Sequence, residues 1–261
     1  IRALGSRIIT IFGGKMGATL GYSADFVHID SLLKRNWDSF SALRKEMDDF
    51  APRDKSEFEE ERRRQLDHYL AINPKENEEG VRKMVEQNVG FAAKPSTQFH
   101  NLFWDRFKGQ YVTIVLMSSA LCEAAINITL AAHFAQSGIP DVFSLIDKAE
   151  VKQKWMHGPK LISAQYSLPS GGPLYEALTK LVRQRNAFVH YKAEMSVGRM
   201  KVLSGSISER MTVEEEIVWV ERFFSLPYDL CDYVRKHTAF KATLLGLMRE
   251  KIPVATAHRN A

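Results

Sequence analysis

The sequence predicts an all-α protein. Glycine and proline are sparse, at 15 and 9 of 261 residues, and most prolines fall between periodic segments rather than inside them. Apolar residues recur at helical spacing over long stretches, the longest running from about Gln98 to Gln136. Thr212 and Glu215 stand three residues apart before an apolar run, which is the capping-box signature of a helix start.

In chain order, Asp38 to Phe50 reads as a charged, half-apolar helix. Pro52 suits the first turn of the next, which runs to about Ile72 through the charge-dense Glu57 to Arg64. Asn73-Pro74 marks a break before a helix ending near Val89, and Phe91 to Thr97 reads as a linker. The long helix from Gln98 closes at Ser137-Gly138-Ile139-Pro140. Phe143 to Ala149 and Lys152 to Gln165 form shorter helices. Pro173, after the Gly/Pro-rich segment 167–173, opens a helix predicted to reach about Glu194. Val197 to Ser208, with Gly198 and Gly205 among alternating apolar residues, reads as a short hairpin or a loop. Thr212 then starts a helix to about His237 that is expected to bend at Pro227. A short helix near Ala239 to Lys251 precedes a polar tail. The pattern divides the chain into an N-terminal helical arm or extension (1–95), a helical bundle (96–240) and a C-terminal helix with a loose tail (241–261).

The length suffices for a well-buried core in one large or two small domains. A composition of 45% hydrophobic and 26% charged residues is that of a soluble globular protein. Residues 1–20 lack the unbroken apolar core of a signal peptide, because Lys15 and paired glycines interrupt it. Tyr111 to Ala135 has membrane-spanning length, but Glu123 and Asn127 interrupt it, so a core helix and no membrane contact are expected. Cys122 and Cys231 lie in apolar helical patterns and read as buried thiols of a reducing, cytoplasmic compartment.

Charge is uneven. Asp38 to Glu86 carries ten basic and fourteen acidic residues. Lys180 to Lys201 carries six basic residues against Glu194 alone, as much positive excess as the net +5 of the whole chain. Such a basic segment favours an anionic partner, such as RNA, DNA or a nucleotide.

Within it, Arg185-Asn186-Ala187-Phe188-Val189-His190 sets a guanidinium, an amide and an imidazole on one short piece of helix. At about 100° per residue, Leu174, Leu178, Leu181, Phe188 and Val189 form an apolar stripe with Arg185 in its middle, while His190 lies about 140° away. An arginine at a leucine position needs a carboxylate, several carbonyls or an anionic ligand. The one charge between Tyr111 and Ala135 is Glu123, with Asn127 beside its stripe, so Glu123 is the expected partner. Two readings of that pair stand side by side. Either it fixes helix register and nothing else, or Glu123 orients Arg185 and leaves part of the guanidinium facing a phosphate.

The segment Leu181 to His190, with its Arg, following polar residue and His five positions after the Arg, resembles the signature of HEPN domains. Cys122-Glu-Ala-Ala-Ile-Asn127 is similar to the acidic, Asn-containing long helix of that fold, and Lys154-Trp155 with the following Pro-containing turn resembles the middle of some bacterial members. The resemblance covers roughly residues 98–237. It implies an up-and-down helical bundle, often a homodimer with two motifs facing one cleft, and a metal-independent endoribonuclease of the kind found in toxins and phage defence. No cofactor and no metal is implied. Carried over, Arg185 stabilises charge on the scissile phosphate, His190 transfers the proton, Asn186 positions either, and Glu123 orients Arg185. Arg183, Lys192 and Asn127 are expected to contact the RNA, and an antitoxin or sensor protein is an expected partner. Some toxin members place a tyrosine two residues after the histidine. Here Lys192 stands there and Tyr191 adjoins His190, so that mode of control is not carried over. Other members have lost catalysis, which gives the alternative: a non-catalytic module for dimerisation or for binding a nucleotide or protein.

Other motifs point away from chemistry. Gly13-Gly14-Lys15-Met16 lacks the spacing and hydroxyl of a P-loop. His28, His68, His100, His133 and His157 are scattered without metal-ligand spacing. Trp104, Trp155, Phe223 and Phe224 read as packing residues.

Overall fold

The computed structural model describes residues 8–11, 18–21, 24–72, 77–189, 194–195, 202–203 and 212–238. The architecture is helical, and strands among these residues are confined to two short antiparallel pairs. The chain forms two compact units, Ile1–Trp37 with Tyr111–Ala261, and Asp38–Gln110. These units group residues up to 37 with the later helices rather than with the arm, and their second boundary falls at residue 110.

The first unit opens with β1 (Ile8–Ile11) paired to β2 (Ala18–Gly21), with Ile8 opposite Gly21. This pair departs from the reading of the N-terminal segment as part of a helical arm or extension. Ile-Ile-Thr-Ile is a run of β-branched residues, which suit a pleated strand better than a helix. Helix α1 (Ala24–Asp48) starts well before Asp38, and its buried Asp30 and Leu33 belong to this unit. Its Trp37 stacks on Phe224 at 4.2 Å, while Asp30 accepts from Tyr228 Oη at 2.5 Å and pairs with Lys34 at 2.6 Å.

Helix α4 (Pro95–Gln136) supplies the spine, with Ile114, Val115, Leu121, Cys122, Ile126 and Leu130 all buried. It is the one described helix long and apolar enough to cross a membrane, and its most apolar window is 56% buried within the fold. It ends at Gly138, whose φ of +75° suits glycine. Ile139 N–H donates to the Phe134 carbonyl and Gly138 N–H to that of Ala135, closing the helix in a Schellman arrangement. After α5 (Val142–Ile146), α6 (Val151–Ile162) packs closely on α4. A Cβ added at Gly158 would lie 2.7 Å from Leu130 Cδ1.

Trp155 is fully buried there and donates from Nε1 to the Cys122 carbonyl at 3.1 Å, as its packing role predicts. Helix α7 (Pro173–Val189) follows, then β3 (Glu194–Met195) paired with β4 (Val202–Leu203), within and beside the segment read as hairpin or loop. Helix α8 (Val213–His237) begins at the Thr212–Glu215 capping box and continues through Pro227. Its Val220, Phe223, Phe224, Leu230 and Val234 are buried. Both cysteines are free and buried, and burial pushes both thiols well above the ordinary range.

The second unit holds the rest of α1, a 3-10 turn (Lys55–Phe58), α2 (Glu59–Ile72), α3 (Glu78–Ala92) and α4 up to Gln110. Helices α2 and α3 close over Phe58, Val81, Val85 and Val89, with Leu66, Tyr69 and Leu70 packed against them. A second apolar group sets Phe50 edge-on to Phe99 and to Phe103, each at 5.6 Å. Gln98 accepts from Arg53 N–H and donates to the Ala93 carbonyl, and Arg106 grips Glu46 with two bonds of 2.7 and 3.0 Å.

The 3-10 turn starts at its own capping box. The Ser56 backbone N–H, and then its hydroxyl, hold the Asp54 carboxylate below its ordinary value of 3.8. A depressed carboxylate stabilises the fold fully above its unfolded value and loses that contribution as pH falls through the folded value. Asp54→Ala is therefore expected to lower the melting temperature at pH 7. The gap to the parent protein should close as pH drops below about 3.8, which paired thermal melts across pH 2.5 to 7 would check.

Candidate functional site

Helix α7 carries the first five residues of the hexad, Arg185 to Val189, at its C-terminal end, and Pro173 with its fixed φ opens the helix. Its buried side is Ala177, Leu178, Leu181 and Gln184. That stripe is rotated from the predicted one: Gln184 takes a core place, Arg185 falls half-buried at the edge, and Val189 is 51% exposed. The correction has a simple cause. Ala177 and Gln184 are buried on the side of Leu181 away from Leu178, which centres the buried face near Leu181 and moves Arg185 toward its edge.

Arg185 Nη1 donates to Asn186 Oδ1 at 3.0 Å, so two of the hexad's three chemical groups meet. Arg183 and Asn186 are exposed. His190 and Lys192 lie outside the described residues. Phe188 meets Tyr111 of α4 edge-on, with ring centroids 5.9 Å apart and planes at 88°. Burial, and next the Glu216 carboxylate, push the Tyr111 hydroxyl well above its ordinary range. The last turn of α7, Tyr111 and the first turn of α8 therefore lie close together.

The expected Glu123–Arg185 pair is not formed. Glu123 stands 4.0 Å from the ammonium of Lys154 on α6, whose side chain is 1% exposed against 46% for the carboxylate. Lys154 also donates to Asn127 Oδ1 at 2.9 Å and to the Asp147 carbonyl at the end of α5. Glu123 and Asn127 thus serve the α4–α6 joint. Geometry explains the separation. Twelve residues of helix place Glu123 roughly 18 Å along α4 from Tyr111, whereas Arg185 is only about 4.5 Å of rise from Phe188.

Four residues of this region carried no functional reading in the sequence: Tyr111, Lys154, Gln184 and Glu216. Lys154 had a signal, since Val151, Lys154, Trp155 and Gly158 share one face of α6 at spacings of three and four. Glu216 is hidden among the acids that favour any helix start, although it is buried. Among the described residues no three of His, Cys, Asp and Glu cluster in a way that would hold a metal ion. No protein-family model matches the chain, and neither a curated protein nor a solved structure matches it.

The Lys154 arrangement makes unequal demands on its partners. Removing the ammonium leaves Asn127 Oδ1 and the Asp147 carbonyl without their donor, so Lys154→Met is expected to cost about 1–3 kcal/mol. Glu123→Gln affects a half-exposed carboxylate and should cost under about 1 kcal/mol. Denaturant melts of the two variants would check the order, and a larger loss in Glu123→Gln would contradict this account.

Proposed function

We propose that the chain is a metal-independent endoribonuclease of HEPN type. The observation that carries this reading is the state of Arg185. Its guanidinium lies half-buried at the accessible end of α7 and is hydrogen-bonded to a neutral amide, with no carboxylate within 4 Å among the described residues. A guanidinium keeps its proton at any physiological pH, so its charge remains available to a phosphate, which its planar fork suits.

In the proposed reaction the 2′-oxygen of one ribose attacks the adjacent phosphorus and gives up its proton. The bond to the 5′-oxygen breaks, that oxygen gains a proton, and the products are a 2′,3′-cyclic phosphate and a 5′-hydroxyl. Arg185 stabilises the charge that builds on the phosphoryl oxygens. Asn186 holds the guanidinium in place. His190 carries the proton, since an imidazole titrating near about 6.5 serves as acid or base at neutral pH. Glu123 and Asn127, engaged with Lys154, have no part in this scheme. The homodimer and the composite cleft belong to the same reading, and sedimentation of the purified protein tests them. A role as a toxin or phage-defence effector, and restraint by an antitoxin or sensor protein, also follow from it.

RNA digestion in EDTA tests the chemistry. Wild type should cut and leave cyclic-phosphate ends. Arg185→Ala and His190→Ala should each lower the rate by roughly 100-fold or more while the circular dichroism spectrum is unchanged. Cleavage that survives both substitutions, or that stops on chelation, sinks the proposal.

A further inference from the structure

From Ala177 to Val189, α7 carries Lys180, Arg183 and Arg185 and no acid. Lys180, Arg183 and Asn186 form one i, i+3 row, which turns about 60° and rises about 4.5 Å at each step. The row crosses the solvent side of the helix: Arg183 and Asn186 are exposed and Lys180 is half-buried. It starts at Trp219 of α8, where Lys180 Nζ lies 4.2 Å and the Arg222 guanidinium carbon 5.1 Å from the ring centroid. It ends at Asn186, which already accepts from Arg185. Cations from two helices therefore converge on one aromatic ring, and a polar track leads from that ring to the hexad.

Arg222 is exposed, and no carboxylate lies within 4 Å of it among the described residues. Glu176, one turn before Lys180, and Glu221, beside Arg222, flank the row, so the positive charge is a narrow track rather than a broad field. A duplex presents two rows of phosphates and needs a wide basic face. A single strand needs a line of cations with an aromatic group beside it.

We propose that Lys180, Trp219 and Arg222 dock the backbone of single-stranded RNA, which then follows Arg183 to Asn186 and Arg185. The inference rests on the RNA reading above but on different atoms. The two can fail separately.

The test is fluorescence anisotropy of the full chain with a labelled 2′-O-methyl oligoribonucleotide of about twelve nucleotides, which cannot be cut, in EDTA. The Lys180→Gln, Arg222→Gln double variant should bind about tenfold more weakly at low salt. Its slope of log affinity against log salt should be shallower by about 1.4, since a single strand contributes about 0.7 per phosphate contact. Trp219→Ala should weaken binding further, and Lys160→Gln, which removes an exposed base of α6, should leave affinity within twofold. Arg222→Gln alone, at an exposed position, separates lost binding from lost folding when its thermal melt matches wild type. Affinity of the double variant within twofold of wild type overturns the docking site. So does an equal loss in Lys160→Gln, or tighter binding of a duplex than of a single strand, or no binding by wild type. Binding as stated without cleavage of natural RNA rejects the hexad chemistry and keeps the docking site. Cleavage with an unaffected double variant does the reverse.

Discussion

The crossing of α6 over α4 is the contact on which the packing of the first unit depends. Gly158 lets the Leu130 side chain pack directly on it, so the two helices approach closely where an added methyl group would force Leu130 to shift. At that distance Trp155 is wholly enclosed, and its indole N–H must find a partner, which is the Cys122 carbonyl. Tyr166 donates to the Trp155 carbonyl and Tyr233 of α8 to the Ser167 carbonyl, so the crossing is tied through the following loop to α8. The same approach buries Lys154, and its ammonium draws on the polar groups that α4 offers at that level. The fate of Glu123 is settled there.

Two cations of this unit meet opposite conditions. Lys154 is enclosed and satisfied by an amide, a carbonyl and a carboxylate, so its charge is spent on holding three helices together. Arg185 sits at a helix end with a neutral neighbour. Burial with full pairing suits architecture, whereas partial exposure with a neutral partner suits a ligand that brings its own negative charge. The difference follows from position along the fold, since both residues lie near apolar faces in the sequence.

Much of the helical order was legible because caps and breakers mark it locally. Thr212 and Glu215, Pro173 and Gly138 act through their own backbone neighbours, so their effect needs no tertiary information. The β1–β2 pair is hard to read from sequence because paired glycines break the apolar run, although Ile8 to Ile11 is wholly β-branched. The early start of α1 does leave a trace in the sequence, since Leu33, Phe40, Leu43 and Met47 continue one buried face across Asp38. The offset of Arg185 was not legible. A buried Gln184 looks like any surface glutamine until neighbouring helices are in place. Nor could the sequence say which cation Glu123 would meet, because periodicity gives faces of helices and not their levels along one another.

The capping box of α8 has a bearing on how this chain can change over time. Thr212 and Glu215 satisfy the backbone at the helix start, so α8 carries its own beginning instead of inheriting it from the residues before it. Helix α7 likewise takes its core face from Leu178 and Leu181, well before its end. The stretch between Val189 and Thr212 is therefore bracketed by two independently specified helices. Insertions and substitutions in the sequence between them can accumulate with little effect on how either helix starts or takes its core face.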